Sequence, residues 1–326
     1  MAAQGRIENL YPMIELTGER GIPRNEMDLD LPEISVILPV YNGADTLERS
    51  IESILNQTFS NFELIIINDG STDRSPELCS KYTDDKRVRI YNQENQGLAN
   101  TLNRGIKLSR SKFIARQDSD DVSLPDRLAI QLKHMLANPK TVLLGTWSKI
   151  FLNNKDTMRR HHHPTQNRSL RLFLYFDNPF VHSSIMMRKD ACIAAGGYKA
   201  DDCYQPEDYD LWTRMASLGD VENLPFYGLE YHEVPLSISR KHEKPFPLIY
   251  QISKRYFLSN TNSTQLLSDQ WAKCIWKESQ DLKIRLLIVC FFKIVYREKT
   301  ITKWFLKKMC QLLKFQISQI KKKNLL

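Results

Sequence analysis

Short apolar runs alternate with segments of helical period from Ile34 to Gly145, and that alternation restricts the chain to a mostly parallel sheet covered by helices. Residues 34–40 are apolar and rich in β-branched side chains, so they read as a strand buried on both faces. Tyr41, Asn42 and Gly43 turn the chain, and Asp45 three residues before Glu48 reads as a capping box that opens a helix. Leu47, Ile51, Ile54, Leu55 and Phe59 follow at helical spacing. Residues 62–68 form a second strand ending in the turn Asp69-Gly70-Ser71. Strand, helix and strand therefore fit one βαβ unit. The pattern continues with strands at 88–91, 113–115 and 141–145. Between them lie helices over 97–108 and from Pro125 through Leu128, Leu132 and Leu136. Beyond Phe151 the pattern weakens: 170–176 and 207–218 read as helix, and 184–187 and 229–239 as strand. The expected organisation is an extension at 1–32 and a main domain at 33–245. That domain divides into two halves, 33–150 and 151–245, and a basic helical region follows at 246–326.

The chain has 326 residues, 42% of them hydrophobic, enough for a sizeable core. Its net charge of +8 is unevenly placed. Eighteen Lys and Arg stand against five Asp and Glu after residue 240, so the first 240 residues are net acidic by five charges. This argues against a nucleic-acid partner, which would need a basic main domain. From Lys283 on, twelve basic residues and one acid are mixed with Leu, Ile, Phe and Trp304, as in a basic amphipathic helix lying on an anionic membrane. The longest apolar stretch in that region, 286–292, falls short of the roughly 20 residues of a spanning helix. The six cysteines form no C-x-x-C pair, so a reducing, cytoplasmic setting is expected, with no apolar leader at the N-terminus.

Ligands of open parallel sheets bind at the carboxyl ends of the strands. Here those ends carry Asn42, then Asn68-Asp69-Gly70-Ser71, then Asp118-Ser119-Asp120-Asp121. An acidic turn is by itself commonplace. Acids ending neighbouring apolar strands repel one another unless a hard cation, Mg²⁺ or Mn²⁺, neutralises them. A P-loop and a G-x-G-x-x-G fingerprint are both missing from the sequence. A second acidic cluster, Glu207-Asp208-Tyr209-Asp210, fits the first turn of a helix. Capping explains one or two of those acids. A general base that deprotonates an acceptor hydroxyl would explain a third.

Six blocks occur in order: 35–42, 67–73, 95–99, 116–121, Gly196-Gly197-Tyr198, and 207–212 with its Glu-Asp-Tyr-Asp-Leu-Trp run. In these blocks the span from Ile34 to about His242 resembles the inverting glycosyltransferase family 2, whose members have the GT-A fold. The resemblance implies that Pro39, Tyr41 and Asn42 line a nucleotide pocket and that Asp69 bonds the base, uracil. It implies that Asn95, Gly97 and Arg116 complete the pocket or touch the diphosphate, with Ser119 also facing the nucleotide sugar. Asp118 and Asp120 would form the D-x-D pair around Mn²⁺ or Mg²⁺, with His242 a further metal or diphosphate contact. Asp208 would be the catalytic base and Glu207 its assistant. Asn68 departs from the Asp of many relatives. The implied partners are a UDP-sugar donor and a glycan acceptor on a polyprenyl diphosphate, at the inner face of the cell membrane. A nucleotidyltransferase and a non-catalytic sugar-nucleotide binder are the rival readings. His161, His162 and His163 read as a polar loop, and His182 as a sugar contact or a core histidine. Trp147, Tyr198 and Trp212 are candidates for stacking on sugars, Trp212 more naturally as core.

Overall fold

A computed structural model describes residues 31–174, 178–200 and 206–233, together with Ile252 and Arg255. The expected N-terminal extension up to residue 30, the basic region from 256 on and His242 lie outside the described residues. The chain clusters into two compact units, 1–252 and 253–326, and every strand and helix named below belongs to the first.

The strands are β1 (Ile34–Val40), β2 (Phe62–Asp69), β3 (Val88–Gln93), β4 (Phe113–Arg116), β5 (Val122–Ser123), β6 (Thr141–Leu152), β7 (Lys155–His161), β8 (Met186–Arg188) and β9 (Asp220–Glu233). Among the described residues they make one sheet in the order β3-β2-β1-β4-β8-β6-β9-β5, with β7 paired to β6 outside that path. β1, β2, β3 and β4 are mutually parallel, as are β6 and β9, whereas β8, β5 and β7 run against their neighbours. The helices are α1 (Leu47–Leu55), α2 (Ser75–Ser80), α3 (Leu98–Leu108), α4 (Arg127–Ala137), α5 (Asn167–Phe173), α6 (Lys189–Ala194) and α7 (Glu207–Met215). The mostly parallel α/β architecture expected from the alternation is present.

β1 and β2 are buried at every position, so each carries apolar side chains on both faces. Leu47, Ile51 and Ile54 turn one stripe of α1 onto that sheet and are fully buried. Each such side chain contributes about 1.5–3 kcal/mol relative to exposure. Gly105 lets α3 press onto β1: a Cβ there would come 2.5 Å from Ile37 Cγ2.

Four local expectations are corrected. Thr46, not Asp45, precedes α1, and no side chain caps that helix. Leu136 does not join Leu128 and Leu132 in the core but is 58% exposed, because α4 turns a narrower face to the sheet than the spacing suggested. The helix over 170–176 begins earlier, at Asn167. The strand expected at 229–239 starts at Asp220; the part after Glu233 lies outside the described residues.

Candidate active site

The loops after β1 and β2 are stitched together by their own polar groups. Asn42 takes a left-handed backbone (φ 50°), which Asn tolerates through its short polar side chain. Its N–H donates to Ser71 Oγ at 3.0 Å, and its Oδ1 accepts from the Thr72 N–H at 2.8 Å. Gly43 N–H donates to Ser75 Oγ and Ala44 N–H to Asp73 Oδ2, each at 3.0 Å. Gly70 has φ +74°, and a Cβ there would meet the Asn95 backbone nitrogen at 2.7 Å, so glycine is required where the loop carrying Asn95 crosses. Asp69 is buried at the end of β2 and accepts from Gln93 Nε2 (2.6 Å), Gln96 N–H (2.8 Å) and Gly97 N–H (3.0 Å). It thereby fixes the loop that opens α3. Asn68 holds a neighbouring turn, donating to Asn92 Oδ1 and accepting the Ser71 N–H, both at 3.0 Å. Pro39 is buried within β1, whereas Tyr41 just beyond it is 55% exposed. Its ring is therefore open to a planar group.

The acidic turn after β4 is held by its backbone, which leaves its carboxylates to face one another. Ser50 Oγ donates to the Asp118 carbonyl at 2.6 Å and an Arg49 N–H to the Asp120 carbonyl at 3.2 Å. Ser183 Oγ accepts the Asp118 N–H at 2.8 Å. Gln117 ties Ser50 to the Asp121 carbonyl (3.0 and 2.8 Å), and Asp121 Oδ1 accepts the His232 N–H from β9 at 2.8 Å. Ser119 lies against Gly43: a Cβ on that glycine would come 3.0 Å from Ser119 Oγ. Oxygens of Asp118, Asp120 and Asp121 all lie within 4.8 Å of one another.

Arg116, buried beneath them, forms an ion pair with Asp118. Burial and the Asp118 charge push the Asp120 carboxyl up to about 7. Burial, Asp120 and Asp118 push Asp121 well above the carboxylate range. Sequence reasoning passed over Arg127, which is fully buried and donates to the carbonyls of Arg116 (3.0 Å) and Ser183 (2.7 Å). Burial lowers its guanidinium to about 9 while the Asp121 charge opposes that shift. An all-oxygen set of three crowded carboxylates suits a hard divalent cation. The residues present fit Mn²⁺ or Mg²⁺, with Asp118 and Asp120 as holders and Asp121 as the deeper third acid.

The second cluster opens α7. Asp208 Oδ2 accepts from Asn178 Nδ2 and Oδ1 from the Tyr209 N–H, both at 2.6 Å. Asp210 turns away from this group, is fully buried and pairs with Arg214 at 2.7 Å, which gives the third acid of the run a structural role. Burial and the Asp208 charge push Glu207 up to about 7, with the Arg116 charge opposing and Asp118 adding to the rise. Glu207 thus sits in the electric field of the acidic turn. His182 Nε2 lies 3.0 Å from the Tyr198 hydroxyl, and its ring packs edge-on to Trp212. Burial and Arg116 hold its imidazole neutral. Trp212 is fully buried, as core. His161 ends β7, whereas His162 and His163 lie in the irregular segment after it as expected, and His162 Nε2 lies 2.5 Å from the Tyr227 hydroxyl. Trp147 packs its ring on His162, centroids 4.6 Å apart, and its Nε1 donates to the His163 carbonyl at 3.0 Å.

A family model described as "Glycosyl transferase family 2" matches residues 35–195, which run from β1 through β8 and take in the acidic turn. The O-antigen biosynthesis glycosyltransferase WbnJ of Escherichia coli is 35% identical over 250 residues, covering 75% of this chain and 96% of WbnJ. The amylovoran biosynthesis glycosyltransferase AmsE of Erwinia amylovora is 33% identical over 196 residues, covering 59% and 73%. Among solved structures, S. aureus TarS 1–349 in complex with UDP-GlcNAc superposes with a TM-score of 0.61 at 16% identity, over 74% of this chain and 70% of that one. The mannosyltransferase PcManGT of Pyrobaculum calidifontis, in complex with GDP-Man and Mn²⁺, does so at 0.50 and 16% identity, over 90% and 87%. These two likenesses are of fold, and they identify the mixed sheet as that of GT-A glycosyltransferases. With the family model, the WbnJ match over nearly all of that relative and the acid-lined sheet edge in agreement, the chain belongs to glycosyltransferase family 2 and is a glycosyltransferase.

Proposed function

We propose that this glycosyltransferase moves a hexose or N-acetylhexosamine from a UDP-sugar to a glycan carried on a polyprenyl diphosphate, with inversion, in O-antigen or capsule assembly. The observation that carries the reading is that one short segment touches both acid groups: Ser183 Oγ accepts the Asp118 N–H at 2.8 Å, and the neighbouring His182 packs its ring 5.7 Å from that of Trp212 on α7. The names of WbnJ and AmsE support surface-polysaccharide synthesis, and the UDP-GlcNAc held by TarS supports a UDP-sugar.

In this reading Tyr41 lies along the base, and Asp69 holds the Gln96–Gly97 loop that borders it. A divalent cation held by Asp118 and Asp120 would supply positive charge against the departing diphosphate. Asp208, fixed by Asn178, accepts the proton of the acceptor hydroxyl while that oxygen bonds to the anomeric carbon. The bond from that carbon to the phosphate oxygen breaks on the opposite face, UDP leaves, and an α-linked donor gives a β-linked product. Glu207 beside Asp208 adds negative charge that strengthens it as a base. Arg116 keeps the acidic turn from carrying its full charge uncompensated.

The strongly basic sequence after residue 240 supports peripheral attachment to the anionic inner face of the membrane. No helix among the described residues is long and apolar enough to cross a membrane. A screen of UDP- and GDP-sugars for nucleotide release, with Mn²⁺ and then with chelator, tests the function. Release from a UDP-sugar that chelator abolishes is expected, and release from GDP-mannose alone would overturn the donor assignment.

A further inference from the structure

The turn Gly196-Gly197-Tyr198 is gripped from two sides. From α3, Asn103 meets both backbone groups of one residue. The Tyr198 N–H donates to Asn103 Oδ1 at 2.9 Å, and Asn103 Nδ2 donates to the Tyr198 carbonyl at 2.7 Å. From α7, Arg214 donates to the Gly197 carbonyl at 2.7 Å and to the Ala195 carbonyl. Both glycines are left-handed (φ +84° and +64°), and a Cβ on Gly197 would come 2.6 Å from Asn103 Oδ1. The backbone can therefore reach the amide at this point because no side chain intervenes.

The two grips lead to different parts of the site. α3 is preceded by Gly97, whose N–H is held by Asp69 at the end of β2. α7 begins at Glu207 and Asp208. Between the grips, the Tyr198 side chain is buried against Trp212 and puts its hydroxyl 3.0 Å from His182 Nε2. Only a carboxamide offers one donor and one acceptor at the spacing that a single residue's N–H and C=O require. An aspartate of the same size could accept from the N–H but would face the carbonyl with a second acceptor.

We propose that Asn103 is a positioning residue for sugar transfer: by holding both backbone groups of Tyr198 it fixes the Tyr198 hydroxyl on His182 and sets the start of α7 against the donor pocket. The proposal rests on the reading of Asp208 as the base. A displacement on the order of 1 Å at a catalytic group costs about 100-fold in rate.

The test compares Asn103→Asp and Asn103→Ala with wild type in the full chain. Three readouts are needed: kcat and KM for the donor found in the screen, UDP affinity by calorimetry, and the His182 signals in a histidine ¹⁵N NMR spectrum, assigned with Tyr198→Phe. Expected for Asn103→Asp is a kcat lowered about 10- to 100-fold, with KM and UDP affinity within about twofold and His182 signals displaced as in Tyr198→Phe. If Asn103→Asp does not fold, the same pattern is required of Asn103→Ala. Unchanged kcat, unchanged His182 signals, or UDP affinity lost in step with kcat would each overturn the proposal. Should wild type turn over no sugar nucleotide, the functional reading fails, and the His182 spectrum alone decides whether Asn103 holds Tyr198 in place.

Discussion

Glu63, buried near the amino end of β2, and the acids of the turn after β4, of which Asp121 is buried and Asp118 and Asp120 half-buried, are treated oppositely. Glu63 receives Ser35 Oγ at 2.6 Å, the Arg110 N–H at 2.8 Å and Nε at 2.9 Å, and Arg89 at 2.7 Å. Burial alone would raise its pKa, but those bonds hold it below the ordinary value. Asp118, Asp120 and Asp121 have between them two buried arginines, Arg116 paired with Asp118 and Arg127 under the influence of Asp121, and Asp120 rises to about 7. An acid that serves the fold is given its countercharges by the chain. The acids of the turn, which we propose serve a ligand, are left short of them, and a cation or a proton would fill the deficit.

The widest separation of the two ends should come from neutralising one acid at each. Asp120→Asn should lower UDP release about 100- to 1,000-fold, while leaving the melting temperature of the metal-free protein unchanged or higher, because one of three like charges has gone. A lowered melting temperature with normal turnover would erase the distinction.

Glu63→Gln should do the reverse. Loss of its hydrogen bonds should cost about 1–3 kcal/mol, read by urea unfolding, with kcat and KM near wild type. Its folded pKa lies below the ordinary 4.5, so its contribution is present above that value and is lost as pH falls through the folded pKa. Acid unfolding should therefore begin at higher pH in Glu63→Gln.

A smaller effect is expected at Glu207, whose pKa is raised from 4.5 to about 7. Its protonated form is favoured in the fold, so any stability it contributes is present below 4.5 and is lost as pH rises through about 7. Turnover moves the other way: it should climb through that range as Glu207 ionises and strengthens Asp208. Glu207→Gln should remove this limb and lower kcat about tenfold. A pH–rate profile identical to wild type would show that Glu207 does not assist the base.

The first half of the sheet was legible because its strands are short, apolar on both faces and separated by turn chemistry, as at Ile34–Val40 and Asp69-Gly70. β7 was not: Lys155–His161 is polar and lies outside the main path of the sheet, where no buried face imposes a pattern. β8 was read as a strand at 184–187, close to its place at Met186–Arg188, but its antiparallel insertion between β4 and β6 was not, because it depends on contacts far along the chain. The acid groups themselves were visible from their placement at strand and helix ends. Their supports were not. Arg127 reads as one more charged residue at a helix start, and Asn103 as one more polar helix position. Each gains its meaning from a carbonyl more than 50 residues away, Ser183 for one and Tyr198 for the other.

Calorimetric titration of UDP with Mn²⁺ into Asp208→Asn, run beside a turnover assay of the same protein, tests the division of labour between the two acid groups most directly. The account predicts UDP affinity within about twofold of wild type and turnover lower by about 100-fold or more. Turnover at the wild-type rate would contradict it.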